Sequence, residues 1–371
     1  MSKTSLPANP AESIFLSKPL IWGMEHGLND LTAGFMLSHF TYTAGHSSSI
    51  LFVVIYSIIG FGGQLPVGLW VDQKKQLVPF ANASVLLLPL AICIYLINPE
   101  AGIVVSGIAS AFVHVTGGAV CLLAKSGGQV QENKAGLLGV FTAPGVLGLT
   151  LGGVLGPYSS LLLLPVVIMT LLVGWRILRS GMPEYRSQPG GASELDSHDW
   201  IMLGILLIMC FRSFIFDVIS QVSNDFEQGA LIIGVSAFAG KIIGGFVADR
   251  VGWKRFVYIT LPLALLLFQF GKENIYAMGF GIACLQSSVP VTLMLMGRSL
   301  PLFPATASAI SLGTSIALAG LPLYMLNTGS HVLGAFGNGS ITGLCYAVMF
   351  LFWILADRFL FKKQFFSRSG P

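Results

Sequence analysis

The sequence predicts an all-α membrane protein with twelve transmembrane helices in two pseudo-symmetric halves of six helices each. Three observations carry this prediction. Hydrophobic residues make up 54% of the chain and charged residues only 10%, whereas soluble domains carry roughly 25% charged residues. Apolar stretches of about 20 residues, enough to cross a bilayer as a helix, recur along the chain. One charged loop pattern also occurs twice, about half a chain apart.

The apolar stretches define the predicted transmembrane helices, which are called spans 1 to 12 in chain order. Spans 1 to 6 lie near 19–41, 48–70, 77–97, 101–124, 135–157 and 158–178. Spans 7 to 12 lie near 200–221, 228–248, 256–271, 275–297, 304–327 and 336–360. The intervening stretch is polar and contains Pro183, Gly190 and Gly191, which is typical of a linker. The predicted domains are 1–178, a cytoplasmic linker at 179–199, and 200–371.

Basic residues are unevenly distributed among the predicted loops. With the N-terminus inside, nearly all Lys and Arg residues fall in cytoplasmic segments, and the opposite loops hold only Lys272. This asymmetry predicts a multi-pass protein with both termini in the cytoplasm. Residues 1–18 lack the pattern of a signal peptide, so span 1 is expected to remain as a helix. The short loops favour a prokaryotic inner membrane.

The repeated loop pattern follows spans 2 and 8. Its stronger copy comprises Gly245, Asp249, Arg250, Gly252, Lys254 and Arg255, and its weaker copy begins with Gly68 and Asp72. An Asp at the inner end of a span can accept hydrogen bonds from a neighbouring helix N-terminus and pair with basic residues. Such contacts form only when the cytoplasmic side is closed, so they would favour an outward-facing state. The alternative is that both Asp residues are ordinary charged loop anchors.

Twelve spans, a central linker and these two loop motifs resemble the major facilitator superfamily over essentially the whole chain. The resemblance implies that Asp72 and Asp249 form a cytoplasmic gate and that spans 1, 4, 7 and 10 line a central cavity. In the first motif Gln73 replaces a basic residue and Lys75 occupies the Gly position. The first motif is therefore expected to be the weaker latch.

Span 1 carries a cluster of polar residues at membrane depth. Residues His26 and Asp30 share one helix face, and Glu25 and Asn29 share another. Ionisable groups near the bilayer centre cost at least ~2.5 kcal/mol, so they usually face a cavity or a partner. We predict proton coupling through Asp30, with His26 and Glu25. The alternative for Asp30 is a permanent structural pair with Arg212 or His26.

Further polar residues predict a substrate cavity. Its expected members are Asn29, His114, Arg212, Asp217 and Gln286. A buried Arg indicates an anionic or zwitterionic solute, which would compete with Asp30 for Arg212. The alternatives are a structural pair of Arg212 with Asp217 or Asp30, and a satisfied core histidine at position 114. For Lys241 in span 8 a structural role is favoured.

The run His26-Gly27-Leu28-Asn29-Asp30, with His114 in span 4, is similar to the fosmidomycin-resistance branch of the superfamily. Span 5 offers a second motif, in which Gly148, Gly152 and Gly156 recur on one face before Pro157. Such a face lets two helices approach and slide. It also resembles part of the fifth-helix motif of the family's antiporters. Plain tight packing is the alternative.

The predicted function is secondary active transport of a small polar, anionic or amphipathic solute, by proton-coupled antiport (efflux). Proton symport, facilitative import and a non-transporting receptor or scaffold are the alternatives. The sequence contains no phosphate-binding loop and no nucleophile–base pattern, so no enzyme activity is expected. No cofactor, metal or nucleic-acid partner is expected either. The expected partners are the solute, protons and the lipid bilayer, and the expected state is a monomer.

Overall fold

The computed structural model describes residues 18–124, 135–185, 197–223, 226–271 and 273–325, together with residues 343, 346, 347, 349 and 350. All regular structure in these residues is helical. The helices before the predicted linker are α1 Lys18–Ala44, α2 His46–Ser57, α3 Gln64–Lys74, α4 Val78–Tyr95, α5 Pro99–Leu123, α6 Ala135–Leu155 and α7 Leu163–Arg179. Those after it are α8 Ser197–Ser223, α9 Gly229–Val251, α10 Trp253–Phe270, α11 Ile275–Gln286, α12 Val289–Ser299, α13 Pro304–Ala309 and α14 Ser315–Met325.

Each of predicted spans 1 to 11 coincides with a helix or with a helix that is briefly interrupted. The α2–α3 pair is joined by a π-helical turn at Ile58–Gly62, and the α13–α14 pair by another at Ile310–Thr314. Within the described residues, eight helices are long and apolar enough to cross a membrane. Span 12 falls largely outside the described residues. The all-α membrane class is thus confirmed, and the count of twelve and the two six-helix halves stay predictions.

Helix ends follow local sequence. Asn98 caps α5, its side chain accepting a 3.1 Å hydrogen bond from the Ala101 amide, and Pro99 follows at the first helical position. After Asp72 and after Asp249, the third residue on has a positive φ: Lys75 at 53° and Gly252 at 88°. Glycine adopts this conformation without strain, whereas Lys75 does not. The first motif therefore keeps the same turn, although Lys75 replaces the glycine.

The glycine face of span 5 packs against α1. A side chain at Gly148 would collide with the Gly27 carbonyl, and one at Gly152 with the Leu31 carbonyl. A side chain at Gly156, one residue beyond α6, would strike Ser38. This contact lies between helices on the same side of the predicted linker. The close contacts of α6 with α9 involve other glycines, namely Gly136, Gly139, Gly234 and Gly245. The Gly148–Gly156 face therefore lets α1 and α6 approach closely.

We expect Gly152→Ala to destabilise the protein by about 1–3 kcal/mol, because the added methyl group overpacks the α1–α6 contact. It would meet the Leu31 carbonyl and lie 2.7 Å from the Phe35 nitrogen. Gly153→Ala is the matched control, since no atom lies within 4 Å of its added methyl group. Thermal unfolding in detergent measures both. Equal midpoints for the two variants would contradict the packing argument.

Candidate functional site

A cavity of about 180 Å³ lies between the helices before and after the predicted linker. Its titratable lining residues come from α1, α5, α8 and α9. They are His26, Asp30, His114, Arg212, Asp217 and Lys241. Phe61 and Ser311 reach the cavity from the two π-helical turns, and Gln286 lines it where α11 ends. The cavity therefore combines carboxyl, imidazole and cationic groups.

Three of these residues form a compact cluster. The Nε2 atom of His26 lies 3.2 Å from Asp30 Oδ2, and the Nε2 atom of His114 lies 3.6 Å from Asp30 Oδ1. The two imidazole rings meet edge to face, with centroids 4.4 Å apart. The histidine–aspartate–histidine cluster joins α1 to α5 and leaves one face on the cavity.

Hydrogen bonds set the tautomer of both histidines. His26 Nδ1 lies 3.0 Å from the Phe141 carbonyl oxygen, and His114 Nδ1 lies 2.8 Å from the Ser110 carbonyl oxygen. A carbonyl only accepts, so each Nδ1 carries the hydrogen and donates it. A neutral imidazole then presents the lone pair of Nε2. Two such lone pairs and a carboxylate converge in this cluster, and that arrangement favours a bound cation.

The second face of α1 is turned away from the cavity. Asn29 is fully buried and donates hydrogen bonds from Nδ2 to Asp30 Oδ1 at 2.9 Å and to Ser110 Oγ at 3.2 Å. The prediction that Asn29 lines the cavity is wrong, because its face packs towards α5. Asn29 instead holds the Asp30 carboxylate from behind.

Glu25 shares this buried face. Its side chain is 0% exposed and lies outside the cavity lining. Neither carboxylate oxygen has a hydrogen-bond partner among the described residues. A buried polar group without a partner is costly. The predicted part of Glu25 in proton coupling therefore stays a prediction.

The cavity also contains two cationic side chains. Arg212 is buried and its Nη1 donates a 2.7 Å hydrogen bond to Thr292 Oγ1 on α12. Lys241 Nζ lies 3.4 Å from the carbonyl oxygen of Thr142. Among the described residues neither forms an ion pair, and Asp30 pairs with histidines instead of Arg212. The expected competition between Asp30 and a solute for Arg212 is therefore not supported by a direct contact between Asp30 and Arg212.

Asp72 connects helices from the two sides of the linker. Its carboxylate accepts hydrogen bonds from the amides of Ala305 and Thr306, at 3.1 and 2.7 Å, at the start of α13. The Thr306 hydroxyl donates at 2.6 Å and the Tyr185 hydroxyl at 2.9 Å. Burial raises the pKa of Tyr185, and the charge of Asp72 raises it further, so the phenol stays a donor.

Asp249 makes the related contact with fewer bonds. It accepts from the amides of Ala135 and Gly136, at 2.9 and 2.8 Å, at the start of α6. The negative carboxylate at a helix N-terminus is favourable because the helix dipole is positive there. Asp72 is buried and has four donors, whereas Asp249 is exposed and has two. The expectation that the first motif is the weaker latch is therefore wrong in hydrogen-bond number.

The two motif glycines lie at these crossings. A side chain on Gly68 would come within 2.9 Å of the Ala305 carbonyl, and one on Gly245 within 2.6 Å of the Ala135 carbonyl. The basic residues of the second motif contribute differently. Arg250 and Arg255 are exposed, and Lys254 Nζ lies 5.7 Å from the Trp253 ring centroid. The hydrogen bonds of Asp72 and Asp249 join helices from the two sides of the predicted linker, and we call the end of the bundle where they lie the closed end.

A second cavity of about 450 Å³ lies further from the closed end. It runs between α6, α8 and α9 and shares Val146, Leu149, Phe216 and Asp217 with the first cavity. Ser220 and Gly234 line its outer part. The central cavity is therefore continued away from the closed end.

Sequence reasoning missed several residues of the site. Lys241 was assigned a structural role, yet it lines the cavity. Tyr185 and Thr292 contact Asp72 and Arg212 from segments that had no charged motif to mark them. Only Pro304 at the first position of α13 hinted at a helix start facing Asp72.

No protein-family model matches the chain, and no curated protein matches it. Several solved structures, by contrast, match the chain. The transporter FucP in its outward conformation aligns with a TM-score of 0.68 at 14% identity, over 93% of this chain and 98% of that chain. A variant of the E. coli fucose:proton symporter FucP aligns with a TM-score of 0.64 at 13% identity, over 93% and 98%. The human organic anion transporter MFSD10 aligns with a TM-score of 0.60 at 14% identity, over 91% and 98%.

These likenesses cover nearly all of both chains, so they concern the whole helix arrangement rather than one motif. None of them bears on the fosmidomycin-resistance branch, which stays a prediction. The chain has the fold of major facilitator superfamily transporters.

Proposed function

We propose that this protein is a secondary active transporter that moves a small anionic or zwitterionic solute by alternating access, coupled to protons through Asp30. The observation that carries the proposal is the content of the central cavity. There the histidine–aspartate–histidine cluster and two cations that lack an ion pair among the described residues line one buried space. A scaffold gains nothing from buried ionisable groups, which are costly in a bilayer.

The cations support an anionic solute. Arg212 is buried and retains guanidinium donors beyond the one bonded to Thr292. Arg presents a planar fork that matches carboxylate and phosphate groups. The cavity volume of about 180 Å³ suits a small molecule. Gln286 and Asp217 add donors and acceptors for the neutral or positive part of a zwitterion.

The cluster supports proton coupling. Its two Nε2 atoms and the Asp30 carboxylate can together hold a proton at the cavity wall. A proton there adds positive charge beside Arg212 and Lys241, and this charge favours an anionic solute in the same cavity. Proton and anion would then raise each other's affinity, because coupling between two sites is reciprocal. Such positive coupling favours symport.

Antiport remains the second candidate, and the glycine face at Gly148, Gly152 and Gly156 favours it through its resemblance to the family's antiporters. A solute that carries positive charge would compete with the proton and give antiport. In either mode the latches of Asp72 and Asp249 would close the cytoplasmic side. We further propose an inner-membrane monomer with both termini in the cytoplasm. It would need no cofactor and would not be an enzyme.

The test begins with ligand-induced thermal stabilisation of the purified protein across a panel of small organic anions, zwitterions and cations. Solutes that bind are then followed in proteoliposomes under pH gradients of both signs. Accumulation against a gradient driven by proton entry supports symport, and expulsion driven by proton entry supports antiport. Binding without flux under either gradient would instead indicate a receptor.

We expect Arg212→Met to weaken solute binding by about 2 kcal/mol, or roughly 30-fold, because a hydrogen bond to a charged group is lost from a buried site. Ser213→Ala, next to it on α8 and also at the cavity, changes no charge and is the matched control. Isothermal titration measures both affinities. An unchanged affinity for an anion in Arg212→Met would contradict the proposed solute class.

A further inference from the structure

We propose that His26, Asp30 and His114 form a binding site for a single divalent transition-metal ion of the Zn²⁺ class. The sequence alone predicted no metal. The inference goes beyond the transport proposal and does not depend on it, because metal binding can be measured without flux. It starts from a geometric fact. The ligand atoms of the three residues all lie within 4.8 Å of one another.

The spacing of the cluster is close to that of a metal site. Zinc binds imidazole nitrogen and carboxylate oxygen at about 2.0–2.1 Å, so tetrahedral ligand atoms lie ~3.3 Å apart. Two pairs of atoms come close to that value, since His26 Nε2 lies 3.2 Å from Asp30 Oδ2 and His114 Nε2 lies 3.6 Å from Asp30 Oδ1. The two histidines face different carboxylate oxygens, so the ligand atoms, all within 4.8 Å of one another, would draw closer together around a bound ion.

The supporting hydrogen bonds are those of a metal site. Metal-binding histidines almost always donate their other ring N–H to a carbonyl or carboxylate, which orients the ring and selects the tautomer. Here Phe141 and Ser110 supply those carbonyl oxygens, at 3.0 and 2.8 Å. Asn29 donates to Asp30 Oδ1 at 2.9 Å and so orients the carboxylate. The ligands are thus held in place by groups outside the cluster.

One side of the cluster is open. The three residues line the central cavity, so a metal with three protein ligands would keep a free position there. Water or an oxygen of an anionic solute could take that position. Arg212 and Lys241 line the same cavity, and their positive charge favours such an anion beside the ion. Two imidazoles and one carboxylate select Zn²⁺, Co²⁺ or Ni²⁺ over Mg²⁺ and Ca²⁺, which prefer oxygen ligands.

Gly145 offers a way to obstruct the site without removing a ligand. A methyl group there would strike His26 Nε2 and lie 2.6 Å from Asp30 Oδ2. Gly153 lies on the same helix, and a methyl group there meets no atom within 4 Å. His39 is the matched histidine control, because its Nδ1 is also paired with a carbonyl, that of Gly156 at 2.9 Å, yet it lies outside the cluster.

The experiment uses the full chain, purified in detergent without a histidine tag and stripped with a chelator. Co²⁺ is titrated and followed by its visible absorption, and Zn²⁺, Mg²⁺ and Ca²⁺ are then tested as competitors. We expect one Co²⁺ per chain, displaced by Zn²⁺ only. Lowering the pH should release the ion, since protons compete for the ligand atoms.

In His26→Gln, His114→Gln and Gly145→Ala we expect affinity to fall at least ~10-fold, whereas His39→Gln and Gly153→Ala should match the wild type. Absence of stoichiometric Co²⁺ binding by the wild type would overturn the proposal. So would binding that survives in both cluster histidine variants. Proton-driven flux without metal binding would leave the transport proposal standing and sink this one. Metal binding without any flux would support the metal site and contradict the transport proposal.

Discussion

Asp30→Asn is expected to reduce solute movement driven by a pH gradient to the level of empty liposomes. The substitution keeps the size of the side chain but removes the carboxylate that faces His26 Nε2 and His114 Nε2. Without it the cluster loses the carboxylate that holds a proton together with the two imidazoles, so loading on one side and unloading on the other should fail. Exchange of solute at equal pH on both sides should continue, because it needs no net proton movement.

Asp217→Asn provides the matched comparison. Asp217 also lines the cavity but has no histidine within ion-pair distance among the residues that the structure describes. We expect altered solute affinity in this variant together with preserved dependence on the gradient. Flux is measured with the same labelled solute in parallel proteoliposome preparations. If Asp30→Asn still concentrates solute when protons flow, Asp30 has no part in coupling.

Asp72→Asn should give the second large effect, a shift away from the conformation that is closed at Asp72 and Asp249. Four donors converge on the Asp72 carboxylate, two of them amides at the N-terminus of α13. An amide in its place loses the negative charge and sets an NH₂ group against those donors. A loss of about 3 kcal/mol is expected from charge-assisted hydrogen bonds, which is roughly 100-fold in the ratio of closed to open protein.

Spin labels at Gln73 and Phe303 would follow this change, since both positions are exposed and flank the Asp72 contact. The wild type should give mainly the short distance of the closed end, and Asp72→Asn mainly a longer one. Only a conformer-specific contact can bias such an equilibrium. Identical distance distributions in the two proteins would show that Asp72 is an ordinary anchor of its loop.

A graded series sharpens this prediction. Tyr185→Phe removes one donor of four, so its shift should be smaller, about 1 kcal/mol. Asp249→Asn removes an exposed carboxylate with two donors, and its shift should also be smaller than that of Asp72→Asn. A larger shift in Asp249→Asn than in Asp72→Asn would instead support the expectation from the sequence that the first motif is the weaker latch.

Local patterns were sufficient for much of the fold. The positions of the described spans follow from runs of apolar residues, because a bilayer demands about 20 of them in a row. The division of α1 into a His26–Asp30 face and a Glu25–Asn29 face follows from helical periodicity alone. Which of the two faces meets the cavity did not follow. That depends on how α1 is rotated against α5 and α6, and glycines on α6 such as Gly148 and Gly152 determine this contact.

The strength of each latch likewise required the tertiary structure. The loop motif after span 2 matches the family pattern less well than the motif after span 8. Asp72 nevertheless has Tyr185 and Thr306 as hydrogen-bond partners, and Thr306 lies 234 residues further along the chain. The sequence favoured a structural role for Lys241. Its contact with α6 depends on how α9 packs beside that helix. The sequence by itself determined the membrane class, the described helices and the candidate charged residues, since these depend on composition and on periodicity over a few turns. Only the tertiary structure decided which charges meet, because hydrogen bonds and ion pairs act over a few ångströms between segments that the chain keeps far apart.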